Sequence, residues 1–329
     1  MPKATGAIAQ TMRGKVGWNW LSFTIGLAIV AVSAFTLFHL TRDIEPEKII
    51  EALRAKSAAS VVVAGGFVAG GYVMLTLYDF FALRTIGRKD VPYRVAALAG
   101  FTSYIVGHNL GATVVTGGVI RFRIYSAWGL GVVDVAKIAF VTGLTFWLGN
   151  ACVLGFGMSY APEAASAVNQ LPPWINRLIG LSGLAIIMAY LLWLWPRPRA
   201  IGRAGWRIVL PSLRLTLVQI AIGVIDLTLA AVAMYLLLPD DTAVDFVPLM
   251  VIFVTATLLG FLSHAPGSLG VIEAAMLIGL PQVPKEELLA SLLIFRALYF
   301  VLPLLLSLLL LLLRELVIAR AAQKEPGGR

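Results

Sequence analysis

Cysteine is nearly missing. Cys152 is the single one in 329 residues, which excludes a disulfide framework and a thiolate metal site. Histidine is almost as scarce: His39, His108 and His264 share no ligand spacing, so no metal centre is expected. Charged residues make up only 13% of the chain, and 17 acids face 26 lysines and arginines. Catalytic signatures are absent as well. There is no P-loop, no HExxH and no paired-acid motif of the CDP-alcohol phosphotransferase kind. Gly267-Ser268-Leu269-Gly270 is not a GxSxG elbow, and no His or Asp is placed by motif to complete a triad. An enzyme reading therefore has little to stand on, and no cofactor is expected.

What is present is apolar. Hydrophobic residues make up 59% of the chain and its mean hydropathy is +0.89. No soluble domain has that composition; it belongs to an all-α polytopic membrane protein, read as one integral membrane domain over 1–329. The formal charge of +9 does not point to nucleic acid, because the basic residues sit in short loops between apolar runs. That is the pattern of inside-positive topology and of contact with anionic headgroups. A span needs about 20 apolar residues. Six runs qualify: 19–40, 57–83, 132–157, 175–195, 213–238 and 288–313. The first is too long for a signal-peptide core and reads as an uncleaved anchor. The charged stretch 41–56, with Asp43, Glu45, Glu47 and Glu51 against Arg42, Lys48, Arg54 and Lys56, predicts an interfacial helix.

Basic residues set the expected orientation. The N-terminus (Lys3, Arg13, Lys15), the 84–94 loop, the 196–214 loop (Arg197, Arg199, Arg203, Arg207, Arg214) and the tail (Arg314, Arg320, Lys324, Arg329) read as cytoplasmic. The loops 158–174 and 239–245 hold Glu163, Asp240, Asp241 and Asp245 but no Lys or Arg, and read as external. Both termini are then cytoplasmic, in an inner (plasma) membrane. Two apolar regions, 93–130 and 246–280, must each begin and end on one side. Their return arms, 117–130 and 267–280, would be about 20 Å long as helices, short of a core of about 30 Å. They predict two opposed re-entrant hairpins. Val119-Ile120-Arg121 resembles Val271-Ile272-Glu273, each after a glycine-rich break, and Asp79 precedes Pro92 as Asp226 precedes Pro239. The chain thus reads as an inverted repeat, 57–157 with hairpin 93–130 and 213–313 with hairpin 246–280. Inverted repeats with broken helices mark transporters, with the site at the repeat interface.

Charges at membrane depth are costly, about 2.5–3.5 kcal/mol each on insertion scales, and tend to face the bundle interior in pairs. Arg121 and Arg123, with Tyr125, follow the Gly117-Gly118 break; guanidinium forks bind phosphate, and a helix start adds free N–H groups. They are candidates for a lipid phosphate, or else for snorkelling to headgroups. Glu273 has Arg296 as a plausible partner, either as a structural ion pair or as a contact for a cationic group. Asp226 has no partner nearby in sequence and is a candidate proton or cation site. Asp79 is expected to pair with Arg84, and Asp134 with Lys137 at i and i+3. His108 and Asn109 either line a cavity or satisfy each other at the hairpin bend.

Four stretches carry a resemblance: LTLYDFFALRTIGRKDVPYR at 75–94, GHNLGATVVTGGVIRFRIYSAWGL at 107–130, TGLTFWLG at 142–149 and SHAPGSLGVIE at 263–273. Together they resemble the transmembrane (flippase) region of the lysylphosphatidylglycerol synthase/flippase family, over roughly 57–313. That family includes stand-alone, hopanoid-associated members. In its bifunctional members this region moves an aminoacylated phospholipid between leaflets, and a separate cytosolic domain makes it. The present sequence ends near Arg329 with no aminoacyltransferase domain, so the resemblance implies lipid translocation or lipid handling and gives no support for synthesis. The alternatives are a non-transporting scaffold for lipid or hopanoid biosynthesis and a lipid-modifying membrane enzyme. The expected partners are membrane lipids, with lipid-biosynthesis enzymes and a second copy of the chain as further candidates.

Overall fold

Long apolar runs leave the backbone one way to satisfy itself in lipid, which is to form helices. The computed structural model describes residues 27, 29–42, 44–111, 113–195, 199–202, 208–239 and 242–323. Lys3, Arg13, Lys15, Asp43, Arg197, Arg203, Arg207, Asp240, Asp241, Lys324 and Arg329 lie outside them, as does the 19–26 part of the expected first span. The described part of that span is α1 (Ile29–Thr41). The amphipathic stretch forms α2 (Pro46–Ala55), which opens on a proline at its first turn and rests on α12 (Lys285–Arg296).

The expected spans then follow in order. They are α3 (Ala58–Thr85), α6 (Val132–Tyr160), α8 (Pro173–Leu194), α9 (Leu213–Leu237) and the run Lys285–Val317. Between them lie α4 (Tyr93–Leu110), α5 (Thr113–Tyr125), α7 (Pro162–Asn169), α10 (Phe246–Ser263) and α11 (Val271–Gly279). Short 3-10 turns, Ser126–Trp128 and Pro266–Ser268, follow α5 and α10. Strands β1 (Ala200–Ile201) and β2 (Ile208–Val209) pair antiparallel in the loop before α9. Among the described residues six helices are long and apolar enough to cross a membrane, and α10 is one of them. At 18 residues it extends about 27 Å, so the first arm of the second interrupted region reaches span length by itself.

The last of these runs is not one regular helix. Its middle, Ala297–Val301, is π-helical, and α13 (Leu302–Gln323) begins beyond it. Pro303 supplies the cause: it has no N–H, so the carbonyl four residues back, on Tyr299, loses its helical donor. The Tyr72 hydroxyl replaces it at 2.5 Å.

Small residues decide how closely the central helices approach. Gly149 of α6 and Gly223 of α9 stand backbone to backbone: a Cβ on either would lie 2.8–2.9 Å from the other's Cα. The buried core gathers around α3, α9, α10 and α11, with a second cluster around Ala82, Ala99, Ile124, Tyr125 and Ile138. One face of α13, with Leu305, Leu309 and Leu312, stays exposed, as a lipid-facing surface requires. Gly143, one α6 turn and a half away, meets nothing within 4 Å of its would-be Cβ. Gly223→Ala should therefore lose about 1–3 kcal/mol by overpacking, whereas Gly143→Ala should hold or gain slightly. Thermal unfolding in detergent compares them; equal melting temperatures would mean the α6–α9 approach can relax.

Candidate functional site

The two interrupted regions fold as helical hairpins whose turns touch. α4 packs on α5, and α10 on α11. At the first turn Gly111 adopts φ +75°, and a Cβ there would sit 2.8 Å from the His264 carbonyl oxygen of the second. The second turn is strained: His264 and Ser268 take left-handed φ of 54° and 53°, beside Gly267 and Gly270. Asn109, last but one in α4, donates to the Ile105 carbonyl at 2.9 Å and has its amide oxygen beside Gly267. His108 stacks on Tyr104 and leans on Phe300 of the π-helical segment, with ring centroids 5.4 Å apart in both cases. Neither of the two side chains satisfies the other.

Each hairpin is tied to a neighbouring helix by a buried arginine–carboxylate pair. In the first, Arg121 Nε donates to Asp79 Oδ2 at 3.0 Å and Nη2 to Oδ1 at 2.8 Å. The Tyr125 hydroxyl adds a third donor to Asp79 Oδ2 at 2.8 Å. Asp79 is 0% exposed and Arg121 13%. The expected Asp79–Arg84 pair is not formed. Five residues apart on one helix, the two side chains point about 140° from each other, and the Arg84 guanidinium lies over the Phe80 ring instead. Gly100 lets Asp79 fit, since a Cβ there would come within 3.2–3.4 Å of the carboxylate side chain.

In the second hairpin the Glu273–Arg296 pairing holds. Arg296 Nε donates to Glu273 Oε1 at 2.8 Å, and Nη2 donates to the same oxygen. Its remaining fork nitrogen, Nη1, donates to the Gly267 carbonyl at 2.8 Å. The other Glu273 oxygen accepts from Gly270 N–H at 2.9 Å, capping α11. One arginine thus holds the strained turn to the start of α11.

Arg121 and Arg123 do not converge. Two residues apart, they leave α5 on different faces. Arg123 is 67% exposed and bonds Glu315 of α13 at 2.9 Å, with Arg314 on the other carboxylate oxygen. Asp134 caps its own helix by accepting from Gly131 N–H at 3.1 Å; among the described residues it forms no ion pair with Lys137. In the loop after α3, Arg88 bonds both oxygens of Asp90 and so holds that carboxyl below its usual range. Arg88 also reaches the Trp128 carbonyl at 2.6 Å, tying the loop to the end of the first hairpin.

Asp226 lies elsewhere in the bundle, on α9 against α3. It is 6% exposed; Oδ2 accepts from the Tyr78 hydroxyl at 3.2 Å, and Oδ1 has no partner among the described residues. Sequence reasoning missed Tyr78 and the ring of Tyr72, Tyr104 and Tyr299 nearby. The one signal for them was Pro303, whose missing donor frees the Tyr299 carbonyl for Tyr72. It also missed an apolar groove of about 700 Å³ walled by α3, α4 and α13, with Tyr72 in its wall and Thr76, Tyr93 and Arg94 among its lining. Among the described residues no cluster of three acids, histidines or cysteines could hold a metal ion.

Buried ion pairs, helices of membrane length and turns packed inside the bundle define a multi-pass α-helical membrane protein. No family model matches the chain. It is 31% identical over 236 residues to the uncharacterized protein slr0712 of Synechocystis sp., covering 71% of this chain and 72% of that one. It is 28% identical to the inner membrane protein YbhN of Escherichia coli, over 90% of this chain and 91% of YbhN. A phosphatidylglycerol lysyltransferase of Staphylococcus haemolyticus is 25% identical over 88% of this chain, which spans only 34% of that enzyme, within its transmembrane part. The chain belongs to the lysylphosphatidylglycerol synthase transmembrane-region family.

The two first-hairpin arginines should separate cleanly on mutation. Arg121→Ala leaves Asp79 buried without its countercharge and should cost about 3–5 kcal/mol. Arg123→Ala breaks an exposed pair and should cost under about 1 kcal/mol. Unfolding of the purified protein in mixed micelles measures both, and equal losses would mean that Asp79 finds another partner.

Proposed function

We propose that the chain moves a phospholipid or related lipid between the leaflets of the membrane. The groove between α3, α4 and α13 carries this reading. Its walls are apolar side chains such as Val68, Val73, Phe101, Leu302 and Leu306, and Val73, Leu302 and Leu306 are open to the surrounding lipid. Along α3 it runs from Gly65 to Thr76, about 16 Å, which suits an acyl chain. At the Thr76 end, Arg94 supplies a cation for a phosphate, and the Tyr93 and Thr76 hydroxyls share a 2.6 Å hydrogen bond. Relatedness to a phosphatidylglycerol lysyltransferase, through its transmembrane part, supports a lipid as cargo.

The hairpins form the fixed frame beside the groove: Arg121 ties the first to Asp79 on α3 and Glu273 ties the second to Arg296 on α12, so no bare charge faces the cargo. Their touching turns at Gly111 and His264 support two re-entrant hairpins and an inverted repeat of 57–157 and 213–313. Asn109 and His108 line the turn contact, and Arg123 faces the headgroups at the basic, cytoplasmic end. The helix connection Lys56–Ser57 shares a surface groove with Pro239 and Pro284, which supports α2 lying at the opposite, external end.

Proteoliposomes containing tail-labelled fluorescent phosphatidylglycerol test the proposal through the rate at which an external quencher reaches inner-leaflet lipid. Wild type should exchange the label several-fold faster than empty liposomes. Ala69→Trp, which fills the groove from an exposed position on α3, should bring the rate close to that of empty liposomes with an unchanged melting temperature. A wild type no faster than empty liposomes would overturn the translocation reading.

A further inference from the structure

The two acids on α3 and α9 have opposite fates. Asp79 is neutralised by a guanidinium; Asp226, also buried, has no cationic partner among the described residues. The ionisable groups around it are tyrosines: Tyr78 and Tyr72 from α3, Tyr104 from α4 and Tyr299 from the π-helical segment. One helical turn before Asp226, α6 closes on α9 at Gly223, whose would-be Cβ would meet Gly149 and the Thr145 backbone carbonyl. The free oxygen, Oδ1, lies against Gly71, whose would-be Cβ would stand 3.4 Å away. A lone buried carboxylate needs a countercharge, and the choice is between a bound cation and a proton. A metal cation needs several oxygen ligands. Here there is one free carboxylate oxygen, and the phenols are already engaged: Tyr78 with Asp226, Tyr72 with the Tyr299 carbonyl, Tyr104 with Tyr299.

A second feature points the same way. Thr216, Gln219, Gly223 and Asp226 recur at i, i+3, i+7 and i+10, so they line one face of α9 over about 15 Å from its start. Gln219 is 1% exposed, and among the described residues neither its amide nitrogen nor its amide oxygen has a hydrogen-bond partner. A buried amide with free donor and acceptor is an unusual thing to keep in a core. Placed between the start of α9 and Asp226, it is fitted to order a water file, its oxygen accepting from one water and its nitrogen donating to the next, while the proton passes along the waters and the amide stays unchanged.

We propose that Asp226 is the coupling site of the bundle and that its ligand is a proton, delivered along the Thr216–Gln219 face of α9. This rests on the translocation reading for what is coupled, but not for the protonation itself. The carboxylate takes up one proton at Oδ1 to become a neutral acid and returns it unchanged, with no other bond made or broken. Tyr72 connects this site to the cargo: it borders the lipid groove on one side and belongs to the tyrosine ring on the other. A change of charge on Asp226 therefore acts directly on the α3–α9 seam and on the groove wall.

Infrared difference spectra of the full chain in lipid nanodiscs, recorded between acid and alkaline buffers, read the site without any transport. Wild type should show the C=O stretch of a protonated carboxyl that disappears on alkalinisation; Asp226→Asn should lack it, Tyr78→Phe should shift it, and Gln219→Leu should slow its exchange in heavy water. An unaltered band in both Asp226→Asn and Tyr78→Phe would overturn the proposal, as would a wild-type signal that follows sodium or potassium rather than pH. In proteoliposomes an imposed pH gradient should accelerate lipid exchange in wild type and not in Asp226→Asn. If wild type moves no lipid while the band persists, the translocation reading fails and the proton site stands; if lipid moves with no such band, the reverse holds.

Discussion

Charge buried in an apolar medium has to be neutralised within the bundle, and the Asp79–Arg121 pair is where this chain meets that demand most completely. Asp79 accepts from a two-pronged guanidinium and a tyrosine hydroxyl, which uses both carboxylate oxygens. Because Arg121 and Tyr125 stand on α5 and Asp79 on α3, the pair pins the returning arm of the first hairpin against the bundle. The position of its turn, and hence the contact of Gly111 with His264, depends on that pinning. The second hairpin reaches the same end differently: Arg296 spends its fork on Glu273 and on the Gly267 carbonyl, holding a turn whose left-handed residues would otherwise relax.

Helix α3 connects these parts. Adjacent residues on it point into different environments, Asp79 toward the first hairpin and Tyr78 toward Asp226 on α9. One turn and a half earlier, Tyr72 sits where the lipid-facing groove meets the tyrosine ring, and its hydroxyl repairs the gap that Pro303 leaves in the last helix. A small movement of α3 thus reaches an ion pair, a lone acid and a groove wall at once. Close-packed interiors transmit such movements because they have no slack to absorb them.

Much of the architecture was legible in the chain. Spans at 57–83, 132–157, 175–195 and 213–238 became α3, α6, α8 and α9 within a few residues at either end, because length and hydropathy are all a membrane helix requires. The glycine-rich break at 266–270 marked the second hairpin turn, because glycine takes left-handed dihedrals without cost, whereas the first turn falls at Gly111 and the expected break, Gly117-Gly118, continues as helix inside α5. The Glu273–Arg296 pair was also within reach, being two charges of opposite sign and otherwise without company at that depth. Asp79 was assigned the wrong arginine, because proximity in sequence says nothing about which way a helical side chain points. The groove was invisible, since its walls are apolar residues like any others and only their arrangement makes a cavity.

What the sequence determined alone was therefore everything set by the solvent: a lipid environment dictates helices, their approximate lengths and the scarcity of charge. What the tertiary structure decided was how the few charges are shared out. Arg121 and Arg123 look like one anion-binding fork on paper, yet in space one turns inward to Asp79 and the other outward to Glu315. Asp79 and Asp226 look like equivalent members of a repeat, yet only one receives a cation. The physical reason is that a buried charge answers to whatever group the packing places against it, and packing is a property of the whole bundle rather than of any stretch within it.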